Sequence, residues 1–176
     1  ADSPVIAGTP DDIAEALIPA LPEADAPALV ARINRLAAAA PMVPATDLAA
    51  VLGDLRARGL KIGLATNDAE APAHAHLRAA GIHHLFDFIA GFDSGFGGKP
   101  APGQLLAFAS RFGLTPSRVV MVGDSLHDLH SGRAAGMRTI AVLTGIAGAG
   151  TLAPHADAVL PDISHLAGWI DALAPA

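Results

Sequence analysis

From Pro44 onward, short unbroken apolar runs alternate with segments of helical spacing, and this alternation restricts the chain more than any other feature. The pattern predicts helices over Asp47–Arg58, Ala69–Ala80, Gly103–Phe112, Ser125–Ala135 and Ile163–Leu173. It predicts strands over Lys61–Ala65, Phe88–Ala90, Arg118–Val122, Thr139–Leu143 and Ala158–Leu160. Gly59, Gly81, Gly113 and Gly136 stand just past four of those helices, where a left-handed residue ends a last turn. The strands are continuous apolar runs rather than alternating ones, as expected where helices cover both faces of a sheet. Strand-helix alternation of this kind means a parallel α/β sheet, Rossmann-like in plan. In such sheets the ligand site lies outside the carboxyl ends of the strands.

Residues 1–43 differ. They are Ala-rich and helical in spacing, and seven prolines up to Pro44 cut the region into short pieces. Thr9-Pro10-Asp11-Asp12 reads as a helix start, with a cap residue, a proline in the first turn and acids at the positive dipole end. A second helix fits Ala26–Ala39, with Leu29, Ile33 and Leu36 on one face. The expected organisation is a small helical unit, 1–43, ahead of an α/β core, 44–176.

Composition removes several classes of function. With 52% apolar and 16% charged residues the chain can bury a core. A net charge of −6 and 4% aromatic residues argue against nucleic-acid binding. Cysteine is absent, which excludes disulfides, thiolate zinc sites and a cysteine nucleophile. No uncharged apolar run reaches the roughly 18 residues that span a membrane, and no basic, apolar leader precedes Arg32. The expected location is the cytoplasm.

Three polar clusters fall where the chemistry is expected. The strand before residue 66 ends in Thr66-Asn67-Asp68, the strand before residue 123 ends in Gly123-Asp124-Ser125-Leu126-His127-Asp128, and Gly95-Phe96-Gly97-Gly98-Lys99-Pro100 lies in a loop between them. They supply a hydroxyl, an ammonium and two carboxylates, a set that suits a phosphoryl group held with a hard cation such as Mg²⁺. Each has a plainer reading. Thr66 or Asn67 would serve as a helix cap. Lys99 would serve as a solvated lysine, Asp124 as a turn residue and Asp128 as a first-turn acid. Their order and their place at strand ends favour the functional reading.

With these residues in view, the sequence resembles the haloacid dehalogenase (HAD) superfamily of hydrolases, and within it the phosphoglycolate-phosphatase-like branch. Gly63-Leu64-Ala65-Thr66-Asn67 is similar to that family's second motif, Gly98-Lys99-Pro100 to the third and Val122-Gly123-Asp124-Ser125-Leu126-His127-Asp128 to the fourth. The resemblance runs from about Pro44 to Trp169. It implies that Thr66 and the amide of Asn67 bind phosphate and that Lys99 offsets the clustered negative charge. Asp124 is then a metal residue, and Asp128 belongs to the same Mg²⁺ site, orienting the waters on the ion. The family's first motif, Asp-x-Asp-Gly-Thr, carries the nucleophile and the acid/base and has no match here. Ala1-Asp2-Ser3 is similar to the segment just after it, so the chain is expected to start a few residues beyond that strand and loop. Residues 3–42 occupy the place of the branch's helical cap.

The implied function is a Mg²⁺-dependent phosphatase acting on a small phosphorylated, phosphoglycolate-like metabolite through an aspartyl-phosphate. Alternatives are a non-catalytic phosphate-binding relative and a phosphomutase. Gly123-Asp124 favours phosphatase over the dehalogenase branch. No nucleic-acid or membrane partner is expected, and the oligomeric state is open. The eight histidines show no transition-metal spacing. His74 and His76 point to different sides of their helix, His127 and His130 fit one face without a third ligand at metal spacing, and His127 lies inside the fourth motif, where it is expected to border the site. Gly145–Gly150 reads as a loop near the carboxyl edge of the sheet, without the ending of a P-loop.

Overall fold

The computed structural model describes residues 8–21 and 23–173. Helix α1 (Pro10–Leu17) is started by Thr9, whose hydroxyl accepts from the Asp12 N–H while the Asp12 carboxylate accepts from the Thr9 N–H at 2.7 Å. That reciprocal pair is a capping box. Helix α2 (Ala26–Ala39) is capped by Asp25 and packs against α1. The core follows as α3 (Leu48–Ala57), β1 (Gly63–Ala65), α4 (Glu70–Ala79), β2 (Phe88–Ala90) and α5 (Gly103–Arg111). It continues with β3 (Val120–Gly123), α6 (Leu126–Ala134), β4 (Arg138–Val142), the single turn α7 (Ala149–Leu152), β5 (Ala158–Leu160) and α8 (Leu166–Leu173).

Every strand pairing is parallel. The described strands form two ladders, β1-β2 and β3-β4-β5. Among the described residues no hydrogen-bonded ladder joins β1 to β3. The two ladders nevertheless share one core. Leu64 and Ile89 from the first meet Val120, Val122 and Ile140 from the second, closed over by Leu52 and Leu55 of α3 and Leu166 of α8. A second cluster packs Phe108 and Leu105 of α5 on Met121, Ala135 and Met137. Gly63 leaves the space that the Phe108 ring occupies, since a Cβ there would lie 2.6 Å from its Cδ2.

The four glycines marked as helix ends, Gly59, Gly81, Gly113 and Gly136, have φ of 78°, 71°, 63° and 73°. Two strand starts move inward from their expected positions. Residues 61 and 62 precede β1 because the Ile62 N–H bonds the Asp87 carboxylate at 3.0 Å instead of joining the ladder. Pro116–Arg118 makes a 3₁₀ turn ahead of β3, because proline at its first position favours that turn. The last helix is likewise divided. Ile163–His165 is a 3₁₀ turn capped by Asp162, and α8 begins at Leu166. The segment read as a loop over 145–150 ends in α7, which buries Leu152 completely.

Helix α2 also packs on α4, and the His76 Nε2 lies 2.8 Å from the Ala37 carbonyl oxygen. His74, on the other side of α4, pairs with His83 at 2.7 Å. No described helix is long and apolar enough to cross a membrane.

Candidate active site

Both ladders turn their carboxyl ends to the same place. There Thr66, Asn67, Asp68, Lys99, Asp124, Ser125, His127 and Asp128 line a cavity of about 210 Å³, with Gly8 at its edge. The three motifs, separated by up to 62 positions in the chain, therefore meet. The Ala1-Asp2-Ser3 segment lies outside the described residues.

Lys99 enters from the loop after β2. Its Nζ donates to the Ala65 carbonyl at 2.7 Å and to Asp128 Oδ1 at 2.6 Å. An ammonium has three protons, so one remains for a ligand. The other oxygen of Asp128 accepts from the Ser125 N–H at 3.1 Å and the Ser125 hydroxyl at 2.7 Å. Asp128 is therefore also the first-turn acid of the plainer reading, closing a capping box at the start of α6. Asp128 is thus a counter-ion and cap inside the site, and Asp124 and Asp68 are the other carboxylates of the cavity lining.

The Asn67 side chain grips the Lys99 backbone, with Nδ2 donating to the Lys99 carbonyl at 2.9 Å and Oδ1 accepting from the Lys99 N–H at 2.7 Å. Any phosphate contact from this residue falls to its main chain, the group the second motif implies. Neither Thr66 nor Asn67 caps α4. That helix starts at Ala69 without a side-chain cap, and Asp93, from a different loop, accepts the Glu70 N–H at 2.8 Å. The Thr66 hydroxyl accepts from the Asp68 N–H at 3.0 Å and lies 3.3 Å from Asp68 Oδ2.

Asp124 is half-buried. Burial, and then the neighbouring Asp128 carboxylate, push its carboxyl above the ordinary aspartate value, against the opposing pull of Lys99 and the Thr144 hydroxyl. A carboxylate so placed calls for positive charge. Its surroundings are oxygen donors, and among the described residues no three acidic or imidazole side chains gather around one point. That set fits a hard cation that takes one or two carboxylates and completes its shell with water and phosphate oxygens, which is how Mg²⁺ binds.

Several contributors carry no motif signal. The fully buried Gln104 of α5 donates to the Thr66 carbonyl at 2.9 Å, and the fully buried Ser131 of α6 donates to the Ala101 carbonyl at 2.9 Å. Gly145 follows β4 and lies against Asp124, where a Cβ would stand 2.7 Å from the carboxyl carbon. Gly123 leaves room for the Asp128 side chain, which a Cβ there would strike. Gly123, within the fourth motif, and the position of Gly145 near the carboxyl edge of the sheet are readable from the sequence, whereas Gln104 and Ser131 are not.

A family model described as haloacid dehalogenase-like hydrolase matches residues 3–136. Phosphoglycolate phosphatase of Rhodospirillum rubrum is 33% identical over 121 residues, 69% of this chain and 50% of that protein. Pyrophosphatase PpaX of Bacillus velezensis is 34% identical over 116 residues, 65% of this chain and 54% of that protein. The chain thus spans about half the length of these curated relatives. A HAD family hydrolase from Deinococcus radiodurans R1, solved with bound phosphate and sodium, superposes with a TM-score of 0.67 at 27% identity, covering 94% of this chain and 78% of that one.

Proposed function

The chain belongs to the haloacid dehalogenase-like hydrolases, and from that membership we propose that it carries the phosphate and Mg²⁺ sites of a phosphatase for small phosphorylated metabolites. The observation that carries the reading is the meeting of Thr66, Lys99 and Asp124 around one cavity at the strand ends. The names of the relatives, a phosphoglycolate phosphatase and a pyrophosphatase, support phosphoryl transfer to water and a substrate of small size. The phosphate bound in the Deinococcus hydrolase supports the same ligand chemistry.

In this reading the Thr66 hydroxyl exchanges its contact with Asp68 for a phosphoryl oxygen. Lys99 gives its remaining proton to another and keeps Asp128 as its counter-ion. Asn67 holds the Lys99 backbone so that the ammonium is in place before substrate arrives, a preorganisation that adds no reorganisation cost during transfer. Asp124 would hold Mg²⁺, and the ion would lower the repulsion between the carboxylates and a phosphate dianion. In the chemistry this reading implies, a nucleophilic aspartate attacks phosphorus and expels the leaving-group oxygen, and water then cleaves the aspartyl-phosphate. Residues 1–43 act as a small cap and 44–176 as the core.

The test is hydrolysis of an aryl phosphate by the purified protein, prepared with the segment that carries the nucleophile in place, across a Mg²⁺ series, with Asp124→Asn beside it. Mg²⁺-dependent turnover that the substitution abolishes is the expected result. Phosphate binding without turnover at any Mg²⁺ concentration overturns the catalytic reading, and full activity of Asp124→Asn overturns the metal assignment.

A further inference from the structure

Thr66, Lys99 and Asp124 account for the floor of the cavity, where the phosphoryl group is proposed to sit. The remainder of the substrate must face what is left of the lining, and the polar side chains there are Asp68, Ser125 and His127. Among the described lining residues Lys99 supplies the sole ammonium and no arginine is present. Lys99 is already paired with Asp128 and the Ala65 carbonyl. The His127 ring lies beside an acid of its own, since it contributes to holding the Asp12 carboxyl below its ordinary value, after the larger effect of the Thr9 N–H and hydroxyl.

Asp68 is therefore the carboxylate of this lining that lies beside a phosphate-binding hydroxyl and has no cationic partner among the described lining residues. Its carboxylate is exposed, and Oδ2 lies 3.3 Å from the hydroxyl of Thr66. Its backbone is fixed, because the carbonyl accepts from the Phe92 N–H at 3.0 Å and Gly91 packs so tightly on it that a Cβ would stand 2.7 Å from that oxygen. The carboxylate is thus anchored within one hydrogen-bond length of a phosphate-binding group. A cation held at Asp124 would offset Asp124 and the phosphoryl charge, and it leaves Asp68 unmatched.

We infer that the leaving group of the substrate is non-acidic and bears a hydrogen-bond donor, a hydroxyl or an ammonium, and that Asp68 selects it. This rests on the phosphate site proposed above and narrows it. A leaving group that ends in a carboxylate or a second phosphate places like charge against Asp68 with no lysine or arginine to match it. A hydroxyl or ammonium gives that carboxylate a donor. Discrimination then comes from the repelled ligand as much as from the accepted one. The inference separates this chain from relatives named for phosphoglycolate and pyrophosphate, whose leaving groups are acidic.

A series of equal-sized esters tests it: 2-phosphoglycolate, 2-hydroxyethyl phosphate and phosphoethanolamine carry an acidic, a neutral and a cationic leaving group. Their dissociation constants, with orthophosphate as reference, are measured calorimetrically on the purified protein with Mg²⁺. We expect the neutral and cationic esters to bind about tenfold more tightly than 2-phosphoglycolate. Asp68→Asn brings the ratio toward one, and Asp68→Lys inverts it. Orthophosphate bound, with 2-phosphoglycolate equal to or tighter than the other two, overturns the inference and leaves the phosphate site standing. A ratio unmoved by both substitutions overturns the role of Asp68. Failure of orthophosphate and all three esters to bind overturns the phosphate site and the inference together.

Discussion

The ammonium of Lys99 lies 2.6 Å from Asp128 Oδ1, and both side chains are about nine-tenths buried, at 11% and 9% exposure. The two residues are 29 positions apart, on a loop and on the first turn of α6, so their pairing ties the third motif to the fourth. Removing one partner leaves the other charge buried. We expect Lys99→Met to destabilise the fold by about 3 kcal/mol, read as a lower midpoint in urea with an unchanged slope. Lys99→Met combined with Asp128→Asn should recover part of that loss, and turnover should be absent from both.

Asn67 holds the Lys99 backbone through two hydrogen bonds from a nearly buried side chain. Asn67→Ala should cost about 1–3 kcal/mol of stability. If the residue positions Lys99 rather than binding substrate through its side chain, kcat should fall more than KM rises. A larger change in KM would place the side chain on the substrate instead.

Gly145 lies against the Asp124 carboxyl, whereas a Cβ on Gly148, three residues on, meets nothing within 4 Å. Gly145→Ala should displace Asp124 and raise the Mg²⁺ concentration for half-maximal activity by about tenfold, the scale of lost support around a metal ligand. Gly148→Ala should leave it unchanged. A Mg²⁺ titration of the two variants side by side decides the matter.

Asp87 joins α3 to the start of β1. Burial alone would raise its carboxyl. The Ile62 N–H, Lys61 and Arg56 outweigh that and hold it below the ordinary aspartate value. A depressed acid stabilises the fold at pH above its unfolded value, near 4, and that contribution is lost as pH falls through the lower native value. Asp87→Asn should therefore be less stable than the parent at pH 7, with the gap closing below about pH 4. Denaturation midpoints from pH 3 to 7 read this directly.

Much of the fold was legible because its signals are local. Thr9-Pro10-Asp11-Asp12 starts a helix through bonds within four residues, and Gly59 or Gly136 ends one through its own backbone angle. Strand boundaries were less legible. Residues 61 and 62 have strand composition, but the Ile62 N–H goes to Asp87, 25 positions away. The division of the strands into two ladders is likewise a matter of pairing between distant segments, which apolar runs alone do not specify.

The sequence by itself determined the parallel α/β plan, the family and the residues Thr66, Lys99 and Asp124, because spacing and residue type are written along the chain. Tertiary structure decided how these residues are used. It set the Asn67 side chain on the Lys99 backbone, bonded the oxygens of Asp128 to Lys99 and Ser125, set Gly145 against Asp124 and left Asp68 exposed in the cavity lining. The physical reason is that hydrogen bonds and charge pairs depend on distances of about 3 Å. Such distances between residues 21 to 32 positions apart exist only once the core has packed.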